Sequence, residues 1–330
     1  MSVGTVSNVI NRPDTVARQT RERVQEVVRR LGYVRSESAR QLRVGASRIV
    51  GLLVLDMGNP FFVDVARGAE REARAAGLGV MVCNSAGSPV EEAEYLSMFV
   101  EQRVRGVLVT PADPTGRDLA LLRHHEIPYV VVDRLAEDAD HACSVSVDDV
   151  AGGEMAVAHL IAQGHRSIVF VSGSGHQFQQ IRDRWEGACR AVAAAGLPPE
   201  TVREIPTDRL DVAAGADAVA RLLGLPDRPT AVFCANDLLA MGVLQSLFAV
   251  GVKVPEEIAL VGYDDIEFAA AAAVPLTSVR QPAVEMGRIA AEMLVKESAA
   301  DHDAAEHAHR HVVLQPELAV RASSRWRVTP

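Results

Sequence analysis

No apolar run in this chain approaches the roughly 20 residues needed to cross a bilayer as a helix, so a helical membrane protein is excluded. The N-terminus reads Met-Ser-Val-Gly-Thr-Val-Ser-Asn, without the basic and apolar regions of a secretory signal. The four cysteines, Cys83, Cys143, Cys189 and Cys234, are far apart and show no metal-ligand spacing. A reduced, cytoplasmic compartment is therefore expected. No Ser/His/Asp set or paired-carboxylate motif stands out, so no catalytic reading is supported. Ser172-Gly173-Ser174-Gly175 lacks the Lys-Ser/Thr ending and the glycine spacing of nucleotide loops and reads as a plain turn. The stretch His302–His311 reads as an exposed, variable loop rather than a metal site, and His159 and His165 read as helix-ending or packing residues. Neither a cofactor nor a metal is expected.

What remains is length, core and a lopsided charge. The chain has 330 residues, 48% of them hydrophobic, enough for two or three domains. The net charge of −9 hides an asymmetry: residues 1–48 carry ten arginines against four acids, or +6, and the remainder sums to −15. A short basic end on an acidic body suits a polyanionic partner, although charge alone leaves nucleic acid at even odds.

Residues 4–11 can form a short helix capped by the Ser2 hydroxyl. Arg12-Pro13-Asp14 is a turn signal, and residues 18–31 form an amphipathic helix with Val24, Val27, Val28 and Leu31 on one face. Gly32 is placed to end it. Residues 36–42 can make a second short helix, and Val44-Gly45-Ala46-Ser47 reads as a linker.

Beyond Arg48 strands and helices alternate. Strands are expected at Ile49–Leu55, Leu78–Cys83, Val107–Thr110, Tyr129–Val132, Ser167–Val171, Ala231–Cys234 and Ile258–Val261. These are continuous apolar runs, as parallel strands buried on both faces require. Nearly 280 residues is long for one such sheet, so two sheets with a cleft between them are expected.

In open α/β sheets ligands bind at the carboxyl ends of the strands. The first strand runs into Asp56-Met57-Gly58-Asn59-Pro60-Phe61-Phe62. Phe61 and Phe62 can offer an aromatic face to the C–H face of a sugar ring, or can simply fasten the helix to the sheet. Asp133-Arg134, Asn236-Asp237 and Asp264-Asp265 lie at other strand ends, with Arg184 and Gln281 nearby. Such side chains supply paired donors and acceptors for vicinal hydroxyls. Each Asp or Asn taken singly is as well explained as a helix cap.

Together these strings resemble the lactose-repressor (LacI/GalR) family of bacterial transcription regulators over essentially the whole length. The resemblance rests on residues 2–13 (SVGTVSNVINRP), 20–24 (TRERV), 31–34 (LGYV), 39–43 (ARQLR) and 59–62 (NPFF). It continues at 235–237 (AND), 262–265 (GYDD), 276–282 (LTSVRQP) and 316–321 (PELAVR). It implies a partial helix-turn-helix headpiece in 1–35, a hinge helix and linker in 36–47, and an effector-binding core in 48–330. That core would be like the periplasmic binding proteins, with two doubly wound parallel-sheet lobes. The first would take about 48–148 and 280–310, the second about 149–279 and 311–330.

The resemblance further implies that Ser2, Val3, Gly4, Thr5, Ser7, Asn8 and Asn11 meet DNA from a helix in the major groove. Ala39 and Leu42 would do so from the hinge, with Leu42 wedged into the minor groove. Around the effector it places Asn59, Phe61, Phe62, Asp133, Arg134, Arg184, Asn236, Asp264 and Gln281. Leu210 would stand where the family carries a ring-stacking aromatic, leaving the ligand's second face less tightly sandwiched. The implied activity is repression of transcription by a homodimer on a pseudo-palindromic operator, controlled allosterically by a sugar-like effector. A tetramer would need a further C-terminal helix. The recognition helix begins within four residues of Met1, so weak operator binding by the chain as written, through a start site placed too late, is also expected. The rival readings are a free solute-binding protein with the same core and, more remotely, a nucleotide-dependent dehydrogenase.

Overall fold

The computed structural model describes residues 2–33, 47–113, 115–136, 141–173, 178–299 and 308–325, the side chains of Ile10, Asn11 and Ala299 excepted. Contacts divide the chain between Ser47 and Arg48 into two units.

In the first unit, α1 (Val3–Asn11) starts where the Ser2 Oγ accepts the Thr5 amide at 3.1 Å. A short 3-10 turn at Pro13–Thr15 follows, then α2 (Arg18–Arg30). Gly32 ends α2 at φ +60°, a left-handed conformation that glycine adopts without strain. The Tyr33 amide then reaches back to the Val28 carbonyl at 3.1 Å. Val9 and Val24 are buried between these elements. Of the apolar face expected on α2, Val24 is buried and Val28 half-buried, while Val27 and Leu31 are 39% and 71% exposed. The expected helix at 36–42 lies outside the described residues.

The second unit holds two six-stranded sheets. The first contains β1 (Ile49–Val54), β2 (Gly79–Asn84), β3 (Gly106–Val109), β4 (Tyr129–Val132), β5 (Cys143–Val147) and β11 (His311–Leu314). Its order is β11-β5-β4-β3-β1-β2, parallel throughout. The second contains β6 (Ile168–Gly173), β7 (Val202–Thr207), β8 (Ala231–Cys234), β9 (Ala259–Asp264), β10 (Thr277–Arg280) and β12 (Glu317–Ala319). Its order is β12-β10-β9-β8-β6-β7, parallel except for β12. Helices α3 (Pro60–Ala75), α4 (Pro89–Glu101), α5 (Ala120–His124) and α11 (Ala283–Ala299) flank the first sheet. The second is flanked by α6 (Asp149–Ala162), α7 (Gln179–Ala194), α8 (Val212–Leu223), α9 (Asp237–Ala249) and α10 (Glu267–Ala271).

The chain passes between the lobes three times, at 147–149, 280–283 and 314–317. The expectation that 311–330 belongs wholly to the second lobe is corrected: His311–Leu314 pairs with β5 in the first sheet, and only from Glu317 does the chain join the second. A strand with exposed and half-buried positions suits an edge, and β11 is the first sheet's edge. The 172–175 turn is corrected in part. Ser172 and Gly173 are the last residues of β6, and Ser174-Gly175 lies outside the described residues.

Three helix pairs pack backbone to backbone, each with one glycine per helix. A Cβ at Gly68 of α3 would lie 1.9 Å from the Val284 carbonyl of α11, and one at Gly287 would lie 1.9 Å from Val65 O. Gly153 and Gly187 join α6 to α7 in the same way, and Gly215 and Gly242 join α8 to α9. Any side chain there would push the helices apart.

Candidate functional site

A cavity of about 260 Å³ opens between the two sheets at their carboxyl ends, where the sequence placed it. Asn59, Phe61, Phe62, Asp133, Arg184, Leu210, Asn236, Asp264 and Gln281 all line it.

Asn59 and Asn236 each cap a helix and also line the cavity. Asn59 Oδ1 accepts the Phe61 amide at 3.0 Å, starting α3, while its Nδ2 donates to Asp264 Oδ2 at 2.9 Å. Asn236 Oδ1 accepts the Leu239 amide, starting α9, while its Nδ2 donates to the Leu210 carbonyl, both at 2.9 Å. One end of each amide fixes the helix and the other faces the cleft.

Asp133 and Asp264 stand at the ends of β4 and β9, one in each lobe, with left-handed backbones of φ +66° and +103°. Such strain collects at functional positions. Gln180 Nε2 donates to Asp133 Oδ2 at 2.8 Å, and Gln281 Nε2 donates to Asp264 Oδ1 at 2.7 Å. Asp133 Oδ1 and Gln281 Oε1 are buried and accept nothing from the described residues. Burial, reinforced by Asp149, pushes the Asp133 carboxyl well above the usual carboxylate range, with Arg184 and Gln180 opposing. Burial also raises Asp264, but Arg184, Asn59 and Gln281 resist, leaving it at about 6.

Arg184 is held on three sides. Its Nε donates to Asp149 Oδ1 at 2.8 Å, its Nη1 donates to the Ala235 carbonyl at 2.6 Å, and its guanidinium carbon lies 3.7 Å from the centre of the Tyr263 ring. Arg184 and Asp149 are both buried, so the pair fixes a planar donor in place at the cavity wall. The room for this comes from Gly152 and Gly153. A Cβ at Gly152 would lie 2.1 Å from Tyr263 Oη, and one at Gly153 would lie 2.1 Å from the Arg184 carbonyl.

Arg134 is the exception among the expected residues. It does not line this cavity; its Nη1 reaches the Asp113 carbonyl at 3.4 Å inside the first lobe. The chain turns at the left-handed Asp133, and Arg134 follows it into the first lobe. Asp237 accepts from Ser278 Oγ and the Ile266 amide, and Asp265 pairs with Arg280 and Arg321. Of each pair, only the first residue faces the cleft.

The sequence reading missed Phe178, Gln180 and Ile181 at the start of α7, and the flanking Leu55, Asp56, Asp208 and Arg209. Phe178 matters most. It packs against the cores of both lobes, so a third aromatic lines the cavity from a position other than Leu210. Phe61 and Phe62 meet edge to face with centroids 5.0 Å apart, and both belong to the first lobe's core; the fastening role and the lining role coexist.

In the first unit, Ser2, Val3, Gly4 and Asn8 are exposed and Thr5 and Ser7 half-buried, so the face expected to meet DNA is available on α1. The Asn11 side chain and all of Ala39 and Leu42 lie outside the described residues.

Comparison with known proteins accounts for both units. A profile of bacterial regulatory proteins of the lacI family matches residues 1–36, and one of periplasmic binding protein-like domains matches residues 157–324. An HTH-type transcriptional repressor PurR from Aliivibrio salmonicida is 34% identical over 98% of this chain and 95% of its own length. The ribose-bound structure of a LacI family transcriptional regulator from Enterococcus faecium is 27% identical. It covers 84% of this chain and 98% of its own, with a TM-score of 0.75. A cellobiose complex of the transcriptional regulator CelR is 30% identical, covering 98% and 96%, with a TM-score of 0.74. With a headpiece and a two-lobed core matched end to end, the chain belongs to the lacI family of bacterial regulatory proteins, DNA-binding regulators of transcription and not enzymes.

Proposed function

We propose that the chain is a homodimeric repressor acting in the cytoplasm, released from or recruited to a pseudo-palindromic operator by a sugar of about monosaccharide size. α1 enters the major groove, and the dimer's two-fold axis matches that of the operator. The observation that carries the effector assignment is the ring of hydrogen-bonding groups on the cavity wall. Asp264 and Asp133 present carboxyl oxygens, Arg184 donates, and Asp133 Oδ1 and Gln281 Oε1 are not used by the described residues. Vicinal hydroxyls, each donor and acceptor at once, satisfy such a set, while Phe61, Phe62 and Phe178 supply apolar surface for C–H faces. A cavity just below the roughly 300 Å³ lower bound of ordinary small-molecule sites suits one ring rather than two.

The cross-cleft bonds Asn59–Asp264 and Gln180–Asp133 explain how an effector would act. It binds the closed arrangement better than an open one and shifts the balance by that difference. Binding is tested by thermal shift and calorimetry against pentoses, hexoses, disaccharides and heterocyclic bases, followed by selection of duplexes with and without the best ligand. A monosaccharide whose binding is lost in Asp264→Ala and which changes DNA affinity is the expected result. Preference for a heterocyclic base, or sugar binding without any DNA binding, would sink the assignment.

A further inference from the structure

Outside the cleft, one cluster of side chains has the makings of a metal site. Cys143 opens β5, Glu297 lies in the last turn of α11, and His309 precedes β11. The Cys143 sulfur, a Glu297 carboxylate oxygen and a His309 ring nitrogen all lie within 4.8 Å of one another. We propose that these three residues bind a divalent cation of the zinc class at the end of the first lobe away from the effector cleft, where the strands begin.

The geometry comes from the sheet. β11 runs parallel to β5 with His311 opposite Ser144, and the Ser144 amide donates to the Arg310 carbonyl at 2.9 Å. This register brings His309 beside Cys143, with Cys143 Sγ and His309 Nδ1 3.8 Å apart. Two ligands of a tetrahedral zinc ion, with Zn–S of about 2.3 Å and Zn–N of about 2.0–2.1 Å, stand about 3.6 Å apart. The pair therefore needs to move by only a fraction of an ångström.

The chemistry agrees. A thiolate, an imidazole and a carboxylate form the mixed soft, borderline and hard set that zinc accepts and that magnesium and calcium do not. The Arg310 amide donates to the Cys143 sulfur at 3.4 Å, a bond that stabilises a thiolate and orients it as a ligand. Cys143 is buried and the other two are half-buried, so water can complete the coordination. Sequence spacing could not have disclosed the site, because 166 residues separate Cys143 from His309. The expectations of no metal and of a plain exposed loop across His302–His311 are, on this proposal, too simple. Coordination would pin the last turn of α11 to the sheet edge on both sides of the 300–307 segment.

The test uses the tag-free full chain, titrated with Zn²⁺ by calorimetry and with Co²⁺ by absorption. One equivalent should bind, and cobalt should show a thiolate-to-metal charge-transfer band. Cys143→Ser should abolish that band. Cys143→Ser and His309→Ala should each weaken zinc at least tenfold without changing the far-ultraviolet circular dichroism. Should Cys143→Ser fail to fold, Glu297→Gln and His309→Ala carry the same test. The proposal is overturned by the absence of saturable binding, by cobalt binding without the thiolate band, or by full affinity in the variants. The last result would place any bound metal on other histidines, such as His302 and His307.

Discussion

Asn59 donates across the cleft to Asp264 at 2.9 Å with the same amide whose oxygen caps α3. The two roles separate in Asn59→Asp, because a carboxylate caps a helix as well as an amide but can only accept. Thermal stability should change by less than about 1 kcal/mol. Effector affinity should fall by roughly 1–3 kcal/mol, since an acceptor would then face the Asp264 carboxylate. Calorimetry with the ligand found by the screen reads the second effect. Parental affinity in this variant would show that the cross-cleft bond plays no part in binding.

Asp264, if it holds the effector, should make binding dependent on pH. Its pKa is raised from 3.8 to about 6, chiefly by burial, with Arg184, Asn59 and Gln281 opposing and Asp149 reinforcing. A raised carboxylate contributes to folding stability below its unfolded pKa, and that contribution is lost as pH rises through about 6. Binding runs the other way. If the ionised acceptor holds the ligand, affinity is full above about 6 and declines by up to about tenfold per pH unit below it. Asp264→Asn should bind weakly but with a flat profile from about pH 5 to 7. A flat profile in the parent would show that ionisation of Asp264 is irrelevant.

Gly153 supports Arg184 without touching the cavity. In Gly153→Ala the new methyl would meet the Arg184 carbonyl, 2.1 Å away, and α6 and α7 must separate. Overpacking of this kind costs about 1–3 kcal/mol. A lower Tm together with weaker effector binding is expected, because the guanidinium moves with its helix. A drop in Tm at unchanged effector affinity would confine the effect to packing.

Gly4 sits on the exposed face of α1, and a Cβ there would meet only Ser2 Oγ, at an ordinary 3.7 Å. Gly4→Ala should therefore stabilise the helix by up to about 1 kcal/mol. If this face lies against DNA, the same methyl should weaken or retune operator binding, measured by competition between duplexes. A more helical headpiece with unaltered operator preference would remove Gly4 from the interface.

Most of the strands legible in the sequence were those in which burial is total and the side chains apolar; β2, an edge strand with exposed and half-buried positions, was legible from its apolar run alone. β1, β3, β4, β6, β8 and β9 read as continuous runs because both faces of each are covered. β7 (Val202–Thr207) escaped notice because it is an edge strand, with Arg203 exposed and Glu204 only half-buried. β5 escaped for another reason. It is wholly buried, but Ser144 and Ser146 break the apolar run, and the Ser144 hydroxyl is paired with His311 from the far end of the chain. In the site, side chains at strand ends could be read singly, whereas Phe178 and Gln180 could not. They come from a helix start whose approach to the other lobe is a tertiary fact. Arg134 was placed by the resemblance, whereas its side chain turns into the first lobe beyond the left-handed Asp133.

The paired glycines bear on how such a core can respond to a ligand at all. Helices locked together at their backbones cannot slide without losing many contacts at once, so each lobe behaves as a stiff body. Whatever rotation accompanies ligand entry must then be absorbed in the three short passages at 147–149, 280–283 and 314–317. Two of them border groups described above: Asp149, which holds Arg184, and Gln281, which holds Asp264. The joints about which the halves would turn are thus wired to the groups proposed to hold the effector, and a substitution in a joint should be felt as a change in affinity.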